Sequence, residues 1–163
     1  MQLVNSNDTV LKTSATDWNF DTDGDAKSLE VDLVQTMIEN NGIGLAAPQV
    51  GISKRVFAIK LKNQVPFCMF NPQIVAHTTD SIDGEEGCLS FPDLFLKVKR
   101  FSSVSVEYFD RMAQKCIMKL TDIDARCFQH ELDHLNGVCF VDKVSLLKLA
   151  MAKKKLQKRK RNG

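Results

Sequence analysis

The sequence has only three histidines in 163 residues, and two of them stand four positions apart. It has no C-x-x-C pair, one tryptophan, one tyrosine, and no apolar run near the roughly 20 residues that a membrane span needs. A membrane protein is therefore not expected. The five cysteines, Cys68, Cys88, Cys116, Cys127 and Cys139, are odd in number and widely spaced. That argues against a disulfide framework and for a reducing compartment. The opening stretch 1–10 is polar, carries Asp8 and no arginine, and lacks the basic-then-apolar order of a secretory signal, so no targeting segment is expected. Internal repeats and Pro/Gly/Ser-rich linkers are also missing, which points to one domain.

What remains is ordinary for a globular chain: 44% apolar residues and 26% charged. The net charge of +2 conceals an asymmetry. Seven basic residues and no acidic ones fall in 153–161, Lys153 first and Arg161 last, leaving 15 basic against 20 acidic elsewhere. The expected division is a mildly acidic catalytic body, 1–145, and a basic C-terminal helix or tail, 146–163.

Apolar residues Leu29, Leu33, Val34, Met37 and Ile38 recur at helical spacing and predict a helix over 26–40, stopped by Asn41-Gly42. The preceding Asp21-Thr22-Asp23-Gly24-Asp25 resembles a calcium loop. Ala26 and Asp32 stand where such a loop needs Gly and Glu, so a solvated lead-in turn is expected. Stretches 54–61, 67–70, 73–76, 96–109 and 115–120 read as strands. In 96–109, Val98, Val104, Val106 and Tyr108 share one parity, as in a half-buried antiparallel strand. Residues 110–113 would close a hairpin. A second helix is expected over 122–135, with Thr121 as N-cap and Asp124 completing an approximate capping box, and a third over 145–158. Strands in the middle and helices at the ends indicate an α+β fold.

The second helix carries His130-Glu131-Leu132-Asp133-His134. Side chains four apart share a helix face, so two imidazoles can bind one metal ion while Glu131 reaches a water on it. A catalytic site usually has a third protein ligand. No histidine follows His134, and Asp142 is the only acidic residue after it. The turn Glu86-Gly87-Cys88-Leu89-Ser90 offers Cys88, which read alone is a buried structural thiol. In Gly42-Ile43-Gly44-Leu45-Ala46-Ala47-Pro48-Gln49, small residues let another chain approach the backbone, and Gln49 supplies an amide donor. A tight helix-to-strand connection would look the same. The third histidine, His77, is assigned no role.

Three ordered motifs, Gly42 to Gln49, Glu86 to Ser90 and Gln129 to His134, resemble the signatures of the peptide deformylase family. The resemblance implies antiparallel strands packed around a central metal-binding helix. It implies removal of the N-formyl group from formyl-methionyl peptides during co-translational processing, giving formate and a free methionine amine. Cys88, His130 and His134 would hold one divalent metal ion. Fe(II) is expected as the native ion, with Zn(II) or another divalent ion after isolation. Glu131 would act as general base and then acid, with Gln49 and the backbone N–H of Leu89 as oxyanion donors. Gly44 would pair with the substrate backbone beside Gly87. Ile43, Ile123 and Cys127 would line the methionine pocket.

Phe95 stands where many bacterial members have arginine. Arg126 occupies a position that is aliphatic in some members, and Gly84 one that is apolar. The expected partners are N-formylmethionyl nascent peptides and, through Lys153 to Arg161, ribosomal RNA. The expected location is the cytoplasm or an equivalent reducing compartment with bacterial-type translation. Asp133 either orients a ligand histidine or pairs with Arg100. A zinc endopeptidase would need neither Cys88 nor Gln49. A ribosome-binding protein with a vestigial site would not keep every reactive side chain.

Overall fold

Asp25 starts the first helix, α1 (Ala26–Glu39). Its carboxylate accepts from the backbone N–H groups of Lys27 and Ser28, which the helix itself leaves without partners. The stretch from Asp21 is thus the expected lead-in to a helix. At the other end Asn41 takes the left-handed conformation, φ 58°, that terminates helices. The computed structural model describes residues 1–162.

Seven strands follow: β1 (Gly44–Ala46), β2 (Val56–Ile59), β3 (Phe67–His77), β4 (Ser81–Cys88), β5 (Phe91–Phe101), β6 (Ser103–Phe109) and β7 (Lys115–Thr121). Five make an antiparallel sheet in the order β1-β2-β3-β6-β7, and β4 pairs with β5 as a separate two-stranded sheet. Helix α2 (Asp122–Leu135) packs against the five-stranded sheet and against β5, and α3 (Leu146–Asn162) packs on β5. The α+β arrangement of antiparallel strands around a central helix is the one expected. Gly163, the last residue of the expected tail segment, lies outside the described residues.

Alternation along β2 explains the layering. Phe57 and Ile59 meet α2, where Phe57 packs edge-on against Phe128 at 5.4 Å between ring centroids. Val56 and Ala58 point the other way, into a second cluster with Leu33 and Met37 of α1. The strand is buried on both faces and so reads as continuously apolar.

Several expectations need correction. The run 96–109 is not one strand: the chain leaves the β4–β5 sheet and enters the larger one at Ser102. There the Ser102 hydroxyl donates to the Asp80 carboxylate at 2.5 Å, and the Ser103 N–H donates to Thr78 Oγ1 at 3.2 Å. Parity is unbroken across the change, so periodicity gives no sign of it. Stretches 67–70 and 73–76 belong to one strand, β3, irregular around Asn71-Pro72. Strands β1 and β4 were not expected. In β4 the inward residues are Gly84 and Glu86, a polar face with no apolar alternation. Thr121 precedes α2 but does not cap it; its hydroxyl donates to Asp122, and Asp124 instead accepts from the Lys62 N–H at 3.1 Å.

Candidate metal centre and active site

Helix α2 places His130 and His134 one turn apart, and the end of β4 brings Cys88 to them. Ligand atoms from the three residues lie within 4.8 Å of one another. Cys88 Sγ is 3.3 Å from His134 Nε2. His130 Nδ1 hydrogen-bonds Glu86 Oε2 at 2.9 Å, so its Nε2 is the nitrogen left for the metal.

The electrostatics suit a cation. Burial lowers the His134 imidazole well below its ordinary value, so the ring is neutral with a lone pair to give. Burial works the same way on His130, but hydrogen bonds with Cys88 and Glu86 overcome it and raise the ring to about 10. An imidazole that strongly holds a proton toward a sulfur is one that accepts a metal ion in its place. The soft Cys88 sulfur and two imidazoles form a three-ligand set of the kind found in catalytic zinc and iron sites. The residues present fit a bound divalent ion.

Glu131 follows His130 on α2 and is buried, with Oε2 meeting no hydrogen-bond partner. Burial raises its carboxyl to about 7, and a neighbouring divalent ion would pull it down again. A buried carboxylate oxygen without a donor is costly unless a proton or a water meets it. Gly44 makes this position available: a Cβ there would fall 2.2 Å from Glu131 Oε1. The absence of a side chain at Gly44 thus leaves room for the Glu131 carboxylate. Gln49 is locked by its own backbone, Oε1 accepting from the Ala46 N–H at 2.8 Å. Its amide therefore points Nε2 at Cys88 Sγ, 3.5 Å, and Ser90 Oγ, 3.1 Å. Leu89 lies in the turn between β4 and β5, beside Cys88.

A groove of about 600 Å³ opens beside these groups, lined by Ile43, Gly44, Gly87, Cys88, Leu89, Ile123, Cys127 and His130. Ile43 and Ile123 are 47% and 52% exposed, so the groove is open rather than core. Cys127 lies deeper, its Sγ 3.4 Å from the Ile43 carbonyl. Cys88, His130 and His134 cluster with Gln49 beside Cys88, and Glu131 lies against Gly44 at the groove wall. His77 is elsewhere, stacked on Phe101 at 3.8 Å.

Some participants escaped sequence reasoning. Glu86 is the hub of a buried charge network: it accepts from Arg100 Nε and Nη2 at 2.8 and 3.0 Å, from Arg126 Nη1 at 2.9 Å, and from His130. Burial favours its protonated form, yet the His130 and Arg100 hydrogen bonds outweigh that and bring the carboxyl down to about 2. Asp133 pairs with Arg100 at 2.5 Å; Glu86 is the residue that holds the His130 ring. The available signal was the Glu two positions before Cys88, a charge on an inward parity. Gly84 and Arg126 prove to be one feature, since a Cβ at 84 would lie 2.6 Å from the Arg126 guanidinium. The Phe95 ring rests on Gly87, 2.8 Å from where a Cβ would stand.

The sequence model of the family described as polypeptide deformylase matches residues 1–150. The chain is similar to a peptide deformylase of Prochlorococcus marinus, 48% identical over 123 residues, 73% of this chain and 61% of that protein. It therefore spans under two thirds of the length of that relative. A peptide deformylase of Nitrosococcus oceani is 42% identical over 141 residues, 85% of this chain and 84% of that protein. Among solved structures, a Synechococcus elongatus peptide deformylase in complex with actinonin superposes with a TM-score of 0.88 at 37% identity, covering 96% of this chain and 88% of that one. A Thermotoga maritima peptide deformylase does so with a TM-score of 0.83 at 37% identity, covering 88% and 97%. With its fold, its Cys-His-His cluster and its sequence all in agreement, the chain belongs to the polypeptide deformylase family.

Proposed function

We propose that this chain is a metal-dependent hydrolase that removes the formyl group from formyl-methionyl peptides, yielding formate and a free N-terminal amine. The observation that carries the reading is the convergence of Cys88, His130, His134, Glu131 and the Gln49 amide at one end of an apolar groove. Cys88 and the imidazoles of His130 and His134 would hold one divalent ion. When bound, that ion lowers the pKa of a coordinated water toward neutrality.

Glu131 takes the proton of the attacking water and later delivers it to the leaving amine nitrogen. Gln49 Nε2 and the Leu89 N–H face the oxygen on which charge develops, and donors fixed in advance cost no reorganisation there. Gly44 and Gly87 receive the substrate backbone. Ile43, Ile123 and Cys127 take the methionine side chain, whose thioether suits a soft apolar lining. Formate release from formyl-Met-Ala-Ser by anaerobically prepared, Fe(II)-supplied protein tests the reading.

Fe(II) is the native ion in this reading, and Zn(II) or another divalent ion is its replacement in isolated protein. Metal analysis of protein purified without oxygen distinguishes them. The catalytic unit is 1–145, and 146–163 forms a basic extension. Helix α3 carries Lys153 through Arg161 on an exposed surface, which supports a contact with ribosomal RNA. Removing 152–163 is expected to weaken salt-sensitive ribosome pelleting and to leave short-peptide activity intact. Among the described residues no helix is long and apolar enough to cross a membrane. The place of action in this reading is the cytoplasm, or a similar reducing compartment with bacterial-type translation.

A further inference from the structure

Ser90 is a buried polar residue to which the chemistry above gives no task. It lies in the turn between β4 and β5, beside Leu89 and shortly after Cys88, and is only 4% exposed. An alanine would fill that space without taking a hydroxyl out of water, which is costly unless a partner meets it. The partner is Gln49, equally buried, whose Nε2 donates to Ser90 Oγ at 3.1 Å.

A glutamine amide can turn end over end about its last torsion, and its two Nε2 hydrogens point in different directions. The Ala46 N–H, donating to Gln49 Oε1 at 2.8 Å, decides which end carries the oxygen. That bond alone leaves the amide free to swing about the held oxygen. The bond to Ser90 removes the swing. It engages one Nε2 hydrogen and leaves the other for the Cys88 side, where Nε2 stands 3.5 Å from Sγ. It also ties the segment that follows β1 to the turn that carries Leu89, so two donors from separate parts of the chain keep one spacing. Donors serve a developing charge best when their geometry is set before the charge appears.

We propose that Ser90 is a positioning residue for the hydrolysis: its hydroxyl holds the Gln49 amide at the angle from which Nε2 meets the developing oxyanion. This rests on the reading of the site as a deformylase centre with Gln49 as an oxyanion donor. Ser90 acts only through Gln49. Its loss is felt in the transition state and not in substrate binding, so kcat falls while KM stays.

The experiment uses the full chain loaded with Fe(II), with bound metal quantified. Wild type, Ser90→Ala, Gln49→Ala and the double variant are compared on formyl-Met-Ala-Ser, the slow ones with enzyme in excess over substrate. Ser90→Ala is expected to keep its metal and its KM and to lose about three- to tenfold in kcat, less than the roughly 10²-fold or more lost when an oxyanion donor is removed outright. Adding Ser90→Ala to Gln49→Ala should cost nothing further, because the group that Ser90 positions is already gone. A purely structural serine would slow both backgrounds by the same factor. An unchanged kcat in Ser90→Ala, a loss confined to KM or to bound metal, or an equal loss in both backgrounds would overturn the proposal and leave the deformylase reading in place. Failure of metal-loaded wild type to release formate would remove both.

Discussion

Glu86 and His130 are joined by a 2.9 Å hydrogen bond between a buried carboxylate and the imidazole nitrogen Nδ1, the other ring nitrogen being left for the Cys88–His134 side. The bond fixes which ring nitrogen is free and aims it. The same carboxylate neutralises Arg100 and Arg126. Glu86→Gln keeps the shape and removes the charge from all three contacts. Metal affinity should fall by roughly 10- to 100-fold, read by competition with a chelator. Stability should fall by about 3 kcal/mol in urea unfolding, because the buried Arg126 guanidinium loses its only carboxylate partner and Arg100 is left with Asp133 alone.

Gly84 and Arg126 form a second coupled pair. Arg126 reaches across β4 and β5, donating to the carbonyls of Val98 and Ile82, each at 2.8 Å, as well as to Glu86. Gly84→Val places a side chain where the guanidinium lies and should cost about 1–3 kcal/mol. Arg126→Met should also destabilise, since Glu86 and the carbonyls lose their donors. Combined, the two changes should cost less than the sum of their separate effects, because the valine occupies the space that the guanidinium vacates. A double-mutant cycle in urea measures the coupling.

Asp25 provides a pH-dependent contribution far from the site. Its hydrogen bonds from the Ser28 hydroxyl and the Lys27 N–H hold the carboxyl below its ordinary value of 3.8. A carboxyl depressed in the folded state stabilises that state above the unfolded value, and the effect is lost as pH falls through the folded one. Asp25→Ala should therefore lower the denaturation midpoint at pH 7. The gap between variant and wild type should narrow as the pH is taken below about 3.8. Denaturation midpoints measured across that range check it.

The helices and the three motifs were legible because their signals are local. The 3.6-residue period of α1, and two histidines four apart on α2, need only the chain's immediate neighbourhood. Gln49, Cys88 and His134 each occur in a short segment whose chemistry can be read in isolation. What escaped is set by partners distant in sequence. Strand β4 has no apolar alternation because its inward residues, Gly84 and Glu86, meet Arg126 and Arg100 instead of a hydrophobic core. Ser102 marks no break in parity, so a change of sheet is invisible until Asp80 and Thr78 are seen to receive it. The room that Gly44 gives to Glu131 joins residues on β1 and α2, and no pattern within segment 42–49 announces it.

The central claim is that Glu131 moves the proton in hydrolysis at a metal held by Cys88, His130 and His134. Its most direct test compares formate release from formyl-Met-Ala-Ser by wild type and Glu131→Gln, both with Fe(II) bound and quantified. Wild type should turn over, and the variant should retain its metal while losing roughly 10²- to 10⁴-fold in rate. A metal-loaded variant that releases formate at the wild-type rate, or a metal-loaded wild type that releases none, would contradict the account.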